Sequence, residues 1–113
     1  MESIKFSKNW NYKLFSKHFT TIRLWSKKFQ VGQLYNMQVP IHGQEKHIER
    51  EIECVSVTPV RLHDIPEYVW YNDTGMNKDD SIKMVETMYK NFKVNVHTAT
   101  FAIIVFRQLN LQY

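Results

Sequence analysis

Cysteine, glycine and proline are scarce in this chain of 113 residues, which has one cysteine, three glycines and three prolines. The single thiol, Cys54, cannot form an internal disulfide, and its place in an alternating apolar run predicts a small buried side chain. So few glycines and prolines leave little room for flexible linkers or low-complexity tracts. No internal repeat is visible, which argues against solenoid and propeller architectures.

Long apolar runs are also absent. The longest one, Phe101 to Phe106, is far shorter than the roughly 18 residues that a membrane span needs. The first residues lack the apolar core of a signal peptide. We therefore expect a soluble, cytoplasmic protein with no membrane partner. The five histidines show no metal-ligand spacing and no glycine-rich phosphate loop occurs, so we expect neither a metal site nor a cofactor.

The residues that are present predict one folded domain over residues 1–113, since a hydrophobic content of 43% is sufficient for a core. Residues 1–34 carry seven lysines or arginines and one acid, whereas the rest of the chain carries eight basic and ten acidic residues. Eight of the sixteen aromatic residues lie between Phe6 and Tyr35, among those lysines. Basic residues mixed with aromatic rings favour a nucleic-acid or nucleotide partner, although many of the rings must also build the core.

Hydrophobic periodicity predicts five strands, over residues 4–6, 19–25, 34–39, 50–60 and 98–107. A short helix is predicted over 10–16, with Lys13 outside, and a longer one from Asn77 to about Asn91. Between them, 62–69 reads as a short turn or helix and 72–75 as a loop. This order predicts a small curved sheet or barrel with helices packed outside it, of α+β or mostly-β class.

The candidate site centres on the basic strand Lys17-His18-Phe19-Thr20-Thr21-Ile22-Arg23. Because side chains alternate along a strand, Thr21 and Arg23 share one face and His18 and Thr20 the other. A guanidinium beside a hydroxyl on a rigid strand suits the binding of an anion or a nucleobase. The alternative is a surface strand with a solvated arginine.

Several segments together resemble the ASCH domain, a branch of the PUA-like superfamily. They are Lys17 to Arg23, the turn Val31-Gly32-Gln33, the strand Cys54-Val55-Ser56-Val57, the helix of 77–92 and the closing strand of 101–107. The resemblance implies a small PUA-like β-barrel of about five or six strands, flanked by two or three helices. It also implies a basic cleft between the Thr-Ile-Arg strand and the late helix that binds RNA, or a modified nucleoside or nucleotide. The residues that we expect to bind the ligand are Lys17, Thr21, Arg23, Lys27, Trp70 and Tyr71.

One ASCH branch hydrolyses the acetyl amide of acetylcytidine with a lysine, a threonine and a glutamate. By position the threonine falls on Thr21, the lysine on His18 with Lys17 one place away, and the glutamate on Thr74 with Asp73 one place away. Two of the three roles thus lack an equivalent residue, so Thr21, Lys17, His18 and Asp73 are candidate catalytic residues and enzymatic activity stays open. A ribonuclease and a protein-interaction domain are further alternatives.

Overall fold

Five of the alternating segments form one mixed sheet. The structure, a computed structural model, describes residues 2–6, 13, 16–41 and 45–109. The strands are β1 (Glu2–Lys5), β2 (His18–Leu24), β3 (Leu34–Pro40), β4 (His47–Arg61) and β5 (Thr100–Gln108). Their order in the sheet is β1-β3-β4-β5-β2; β1 runs parallel to β3 and the other neighbours are antiparallel. With two helices packed on this sheet, the α+β class is confirmed.

Alternating apolar residues place the strands as predicted. In β3 the side chains of Tyr35, Met37 and Val39 are buried, while their neighbours are partly exposed. Apolar residues occur on both faces of β5, and this strand lies in the interior of the sheet between β4 and β2. Cys54 is buried as expected. Gly32, with φ 86°, supplies the left-handed turn that leads into β3.

The expected barrel is not closed by the described strands. Their backbone pairing leaves β1 and β2 as the two edges of an open sheet. A side chain bridges these edges instead: Nη2 of Arg23 on β2 donates to the carbonyl oxygen of Lys5 on β1, at 2.8 Å. The sheet therefore curves far enough to bring its edges together without a continuous ladder of hydrogen bonds.

Three short helical elements connect β4 to β5. They are a 3₁₀ turn (Leu62–Asp64), α1 (Glu67–Thr74) and α2 (Lys78–Met88). The segment 72–75, which we predicted to be a loop, is the end of α1, and Gly75 stops that helix in the left-handed conformation with φ 77°. The Asn77 side chain caps α2 as predicted, accepting from the backbone N–H of Asp80 at 2.8 Å. The helix ends at Met88, earlier than predicted, and Phe92, which lies beyond it, is 62% exposed.

The core has two clusters of buried residues. One contains residues of all five strands, among them Phe19, Tyr35 and Phe106; the other contains residues of the helical segment and of β5, among them Trp70 and Phe101. Both faces of the β2–β5 region are therefore covered by apolar side chains. In the described part of the chain, no helix is both long and apolar enough to cross a membrane.

The predicted helix of 10–16 lies outside the described residues except for Lys13 and Ser16. The expectation that Lys13 faces solvent is wrong, because this side chain is only 2% exposed. The amide nitrogen of Gln108, at the end of β5, donates to the carbonyl oxygens of Lys13 and Ser16 at 3.0 and 2.9 Å. Burial of Lys13 follows from this attachment and from a carboxylate partner in α1.

Candidate functional site

A cavity of about 360 Å³ lies along the free edge of β2, between that strand and the two helices. Its volume falls within the roughly 300–1,000 Å³ that is typical of small-molecule sites. Most of its wall is apolar and comes from β2, from α1 and from the last turns of α2. The lining residues are Lys5, Phe6, Thr21, Ile22, Arg23, Trp70, Asp73, Thr74, Met84, Val85, Met88 and Tyr89.

The carboxylate of Asp73, in the last turn of α1, joins three segments at this cavity. Its Oδ1 atom lies 2.8 Å from Nζ of Lys13, and its Oδ2 atom accepts from the backbone N–H of Ile22 at 3.2 Å. The Ile22 N–H points out of the sheet, because β2 is an edge strand. Asp73 therefore accepts from a backbone donor that no neighbouring strand pairs. Nζ of Lys13 also donates to the main-chain oxygen of Asp73, where a cation is favoured near a helix C-terminus.

Burial has the largest effect on the pKa of each member of this ion pair. Burial raises the pKa of Asp73, and the attraction of Lys13, the Ile22 hydrogen bond and the Arg23 charge oppose that rise. Burial also lowers the pKa of Lys13, and the attraction of Asp73 opposes that fall. The side chains of Lys13 and Asp73 are 2% and 11% exposed, so solvent screens their attraction weakly. The pair thus places one buried positive charge and one buried negative charge beside the cavity.

The guanidinium of Arg23 makes contacts that stabilise the fold, and one of its N–H groups has no acceptor among the described residues. Its guanidinium lies 4.6 Å from the centre of the Phe6 ring and donates to Lys5, as described above. Burial lowers the pKa of Arg23, yet an arginine remains charged throughout the physiological range. Within the described ranges, no acceptor contacts the buried Nε atom of Arg23 or the indole nitrogen of Trp70, a residue with no exposed surface. Two N–H groups of cavity-lining residues are therefore unpaired.

The hydroxyl of Thr74, at the position of the glutamate in the family pattern, has a structural role. Its Oγ1 atom lies 3.0 Å from the Trp70 carbonyl oxygen and 2.9 Å from the Ser81 hydroxyl, and it accepts from the backbone N–H of Met76. These contacts tie α1 to α2. A hydroxyl so fully engaged holds the cavity wall in place and is a poor candidate for proton transfer.

The structure brings four of the predicted site residues together and separates the others. Thr21, Arg23, Trp70 and Asp73 all line the cavity. His18, on the opposite face of β2 from Thr21, lines a second cavity. The remaining three, Lys17, Lys27 and Tyr71, are exposed and line neither cavity.

Sequence reasoning missed Lys13 as the partner of Asp73. Sixty residues separate the two in the chain, and no local pattern connects them. Met84 and Met88 of α2 were also not among the predicted site residues, yet both line the cavity and Met88 is half exposed. Their spacing of one helical turn places them on one face, which was the available signal.

Comparisons with protein-family models, with curated proteins and with solved structures find no match to this chain. Among the described residues, no group of three or more histidine, cysteine, aspartate or glutamate side chains is arranged to hold a metal ion.

Proposed function

We propose that this chain is an ASCH-like binding domain whose first cavity, at the free edge of β2, holds a nucleoside-type ligand. The ligand is either a free modified nucleoside or nucleotide, or an unpaired base of RNA. One observation carries the proposal: Arg23 and Trp70, each with a buried N–H group that no described acceptor contacts, both line a largely apolar cavity. A buried donor without a partner costs about 1–3 kcal/mol, and a ligand acceptor that reaches this donor as the cavity wall adjusts removes that cost.

The shape and composition of the cavity suit a flat ring with polar edges. Phe6, Trp70 and Tyr89 supply aromatic surface, and Met84 and Met88 supply an adaptable apolar wall. Nucleobases combine a π-face with carbonyl oxygens and ring nitrogens, which accept from N–H donors. A ligand of this kind uses both properties of the site, whereas an aliphatic ligand leaves the two donors unpaired.

Charge at the cavity favours a ligand that is neutral or weakly anionic. Asp73 is the acidic residue of the wall, and Lys13 compensates its charge. Lys5 and Arg23 then leave an excess of positive charge. A phosphate attached to the bound nucleoside is attracted to this rim.

A barrel-like curvature of the open sheet is part of the same proposal. The Arg23 side chain joins the two sheet edges in the place where backbone pairing closes a barrel. The ASCH-like order of the Thr-Ile-Arg strand, the Val-Gly turn, a late helix and an apolar last strand supports the proposed identity.

The test is equilibrium binding of cytidine, N4-acetylcytidine and a short single-stranded RNA, measured by calorimetry. Trp70→Phe removes the indole N–H and keeps an aromatic ring, so we expect about 3- to 10-fold weaker binding, the loss of one hydrogen bond. Trp25→Phe is the matched control, because Trp25 is 46% exposed and does not line the cavity. Absence of binding by the wild type, or equal losses in the two variants, would rule out this site.

A second candidate function is hydrolysis of an acylated nucleoside, and the Lys13–Asp73 pair is the observation that favours it. The pair supplies the lysine and the carboxylate near Thr21, although from positions that the sequence did not indicate. In this reaction the Thr21 oxygen attacks the acyl carbon and the C–N bond breaks. The hydroxyl proton passes through the base to the leaving amine, and water then hydrolyses the threonine ester. Burial lowers the pKa of Lys13, which increases the share of its uncharged amine, the form that can accept the proton.

Release of cytidine and acetate from N4-acetylcytidine tests this chemistry. We expect Thr21→Val to abolish turnover and Thr21→Ser to retain part of it, because serine keeps a hydroxyl at the same carbon. Thr20→Val changes the adjacent residue on the opposite face of β2 and serves as the control. If Thr21→Val turns over substrate as fast as the control, the residue is not the nucleophile.

A further inference from the structure

A second cavity of about 300 Å³ lies beside the first one, on the other side of the Lys13–Asp73 pair. Asp73 lines the first cavity and Lys13 lines the second, so a single ion pair forms part of both walls. Adjacent residues of β2 divide in the same way. His18, Phe19 and Thr20 line the second cavity, and the next three residues, Thr21, Ile22 and Arg23, line the first, so the two cavities follow each other along the strand.

The second cavity differs from the first in its chemistry. Its polar lining consists of an ammonium group, an imidazole, two hydroxyls and an amide, from Lys13, His18, Ser16, Thr20 and Asn72. The ammonium, the imidazole and the Thr20 hydroxyl can each donate a hydrogen bond, and none of the described residues that line this cavity is acidic. Glu53, an acidic residue of β4, is engaged by Arg107 at 2.7 Å. The Asp73 carboxylate pairs with the Lys13 ammonium from the side of the first cavity, and His18 and Thr20 supply further groups that can donate to an oxyanion.

Lys13 gives this cavity a fixed positive group. Its side chain is almost wholly buried, and Asp73 accepts two of the three ammonium protons. Gln108 also anchors the Lys13 main chain, so the ammonium is held in position before any ligand arrives. A preorganised cation needs little rearrangement to bind an anion.

We propose that the second cavity binds a phosphate group of the same nucleotide ligand or RNA strand whose base occupies the first cavity. This inference rests on the proposed function, since it assigns the neighbouring subsite. Lys13 and His18 meet the phosphate oxygens, and the Thr20 hydroxyl donates the third hydrogen bond. The base is read at residues 21–23 of β2, and the phosphate of the ligand is held at residues 18–20 of the same strand.

The experiment compares four probes by calorimetry: cytidine, its 3′-monophosphate, its 5′-monophosphate, and inorganic phosphate alone. We expect at least one monophosphate to bind about tenfold or more tightly than the nucleoside, as charge-assisted hydrogen bonds predict. His18→Ala and Thr20→Val reduce this gain and leave the affinity for the nucleoside unchanged. The controls are His47→Ala and Thr58→Val, two exposed positions on β4 away from both cavities.

The possible outcomes distinguish a failure of the phosphate subsite from a failure of the proposed function. If the nucleoside binds but both monophosphates bind no better, or if the gain survives His18→Ala and Thr20→Val, the phosphate subsite is refuted and the base site stands. If inorganic phosphate binds in a His18-dependent manner but no nucleotide does, the cavity is a free-phosphate site and the inference as stated is wrong. If no probe binds, both fail.

Discussion

Replacing Lys13 by methionine is the most informative perturbation of this molecule. Methionine keeps most of the apolar stem of lysine and removes the ammonium, so the Asp73 carboxylate stays buried without its cation. Breaking a buried ion pair by removing one partner typically costs about 3–5 kcal/mol. Because the two side chains are only 2% and 11% exposed, little solvent screening reduces this figure. Such a loss is a large part of the roughly 5–15 kcal/mol that stabilises a typical domain.

The assay is equilibrium unfolding in urea, followed by tryptophan fluorescence and circular dichroism. Lys83→Met, on the exposed face of α2, is the matched control and should stay within about 0.5 kcal/mol of the wild type. In the double variant Lys13→Met/Asp73→Asn no uncompensated charge remains, so its loss should be smaller than the sum of the single losses by about 1 kcal/mol or more.

The pH dependence gives an independent check on the same pair. Burial already raises the pKa of Asp73 above its ordinary value of 3.8, and loss of Lys13 removes two opposing contributions. In Lys13→Met the folded state therefore binds a proton more tightly than the unfolded state does. Above pH 3.8 the free energy of unfolding of this variant falls as the pH rises towards the raised pKa. The destabilisation by Lys13→Met should thus be larger at pH 8 than at pH 5.

Two results would refute this reasoning. One is a loss below about 1 kcal/mol for Lys13→Met at neutral pH, which would mean that the pair is not buried as described. The other is a destabilisation that is the same at pH 5 and pH 8, which would mean that Asp73 keeps an ordinary pKa without its partner.

Three other substitutions test the fold around the site. Gly75→Ala places a side chain at φ 77° and should lower the free energy of unfolding by about 1–2 kcal/mol in urea; no change would mean that the left-handed cap of α1 is absent. Asn77→Ala removes the cap of α2 and should cost about 1 kcal/mol, measured by thermal unfolding, whereas Asn77→Ser should retain most of it. Phe106→Ala empties a fully buried position and should cost about 3–5 kcal/mol; a loss near that of an exposed control such as Val31→Ala would contradict the core assignment.

Local patterns predicted the secondary structure well where one face of an element is buried. The alternation in β3, the buried run of β5 and the Asn77 cap are all local signals, and each is found in the structure. The end of α1 was harder to predict, because Asn72, Asp73 and Thr74 are typical of loops. Contacts of Thr74 with Trp70 and Ser81 stabilise that last turn. These contacts form only when α1 and α2 pack together.

The candidate site shows the same difference between what local patterns determine and what tertiary contacts determine. By itself, the sequence determined that Thr21 and Arg23 share a face of one strand, since alternation follows from the backbone geometry. Only the tertiary structure decided that Asp73 approaches that strand, that Lys13 is its buried partner, and that His18 belongs to a different cavity. These facts depend on pairs of residues far apart in the chain, whose contact is fixed by sheet order and helix packing and not by any local preference.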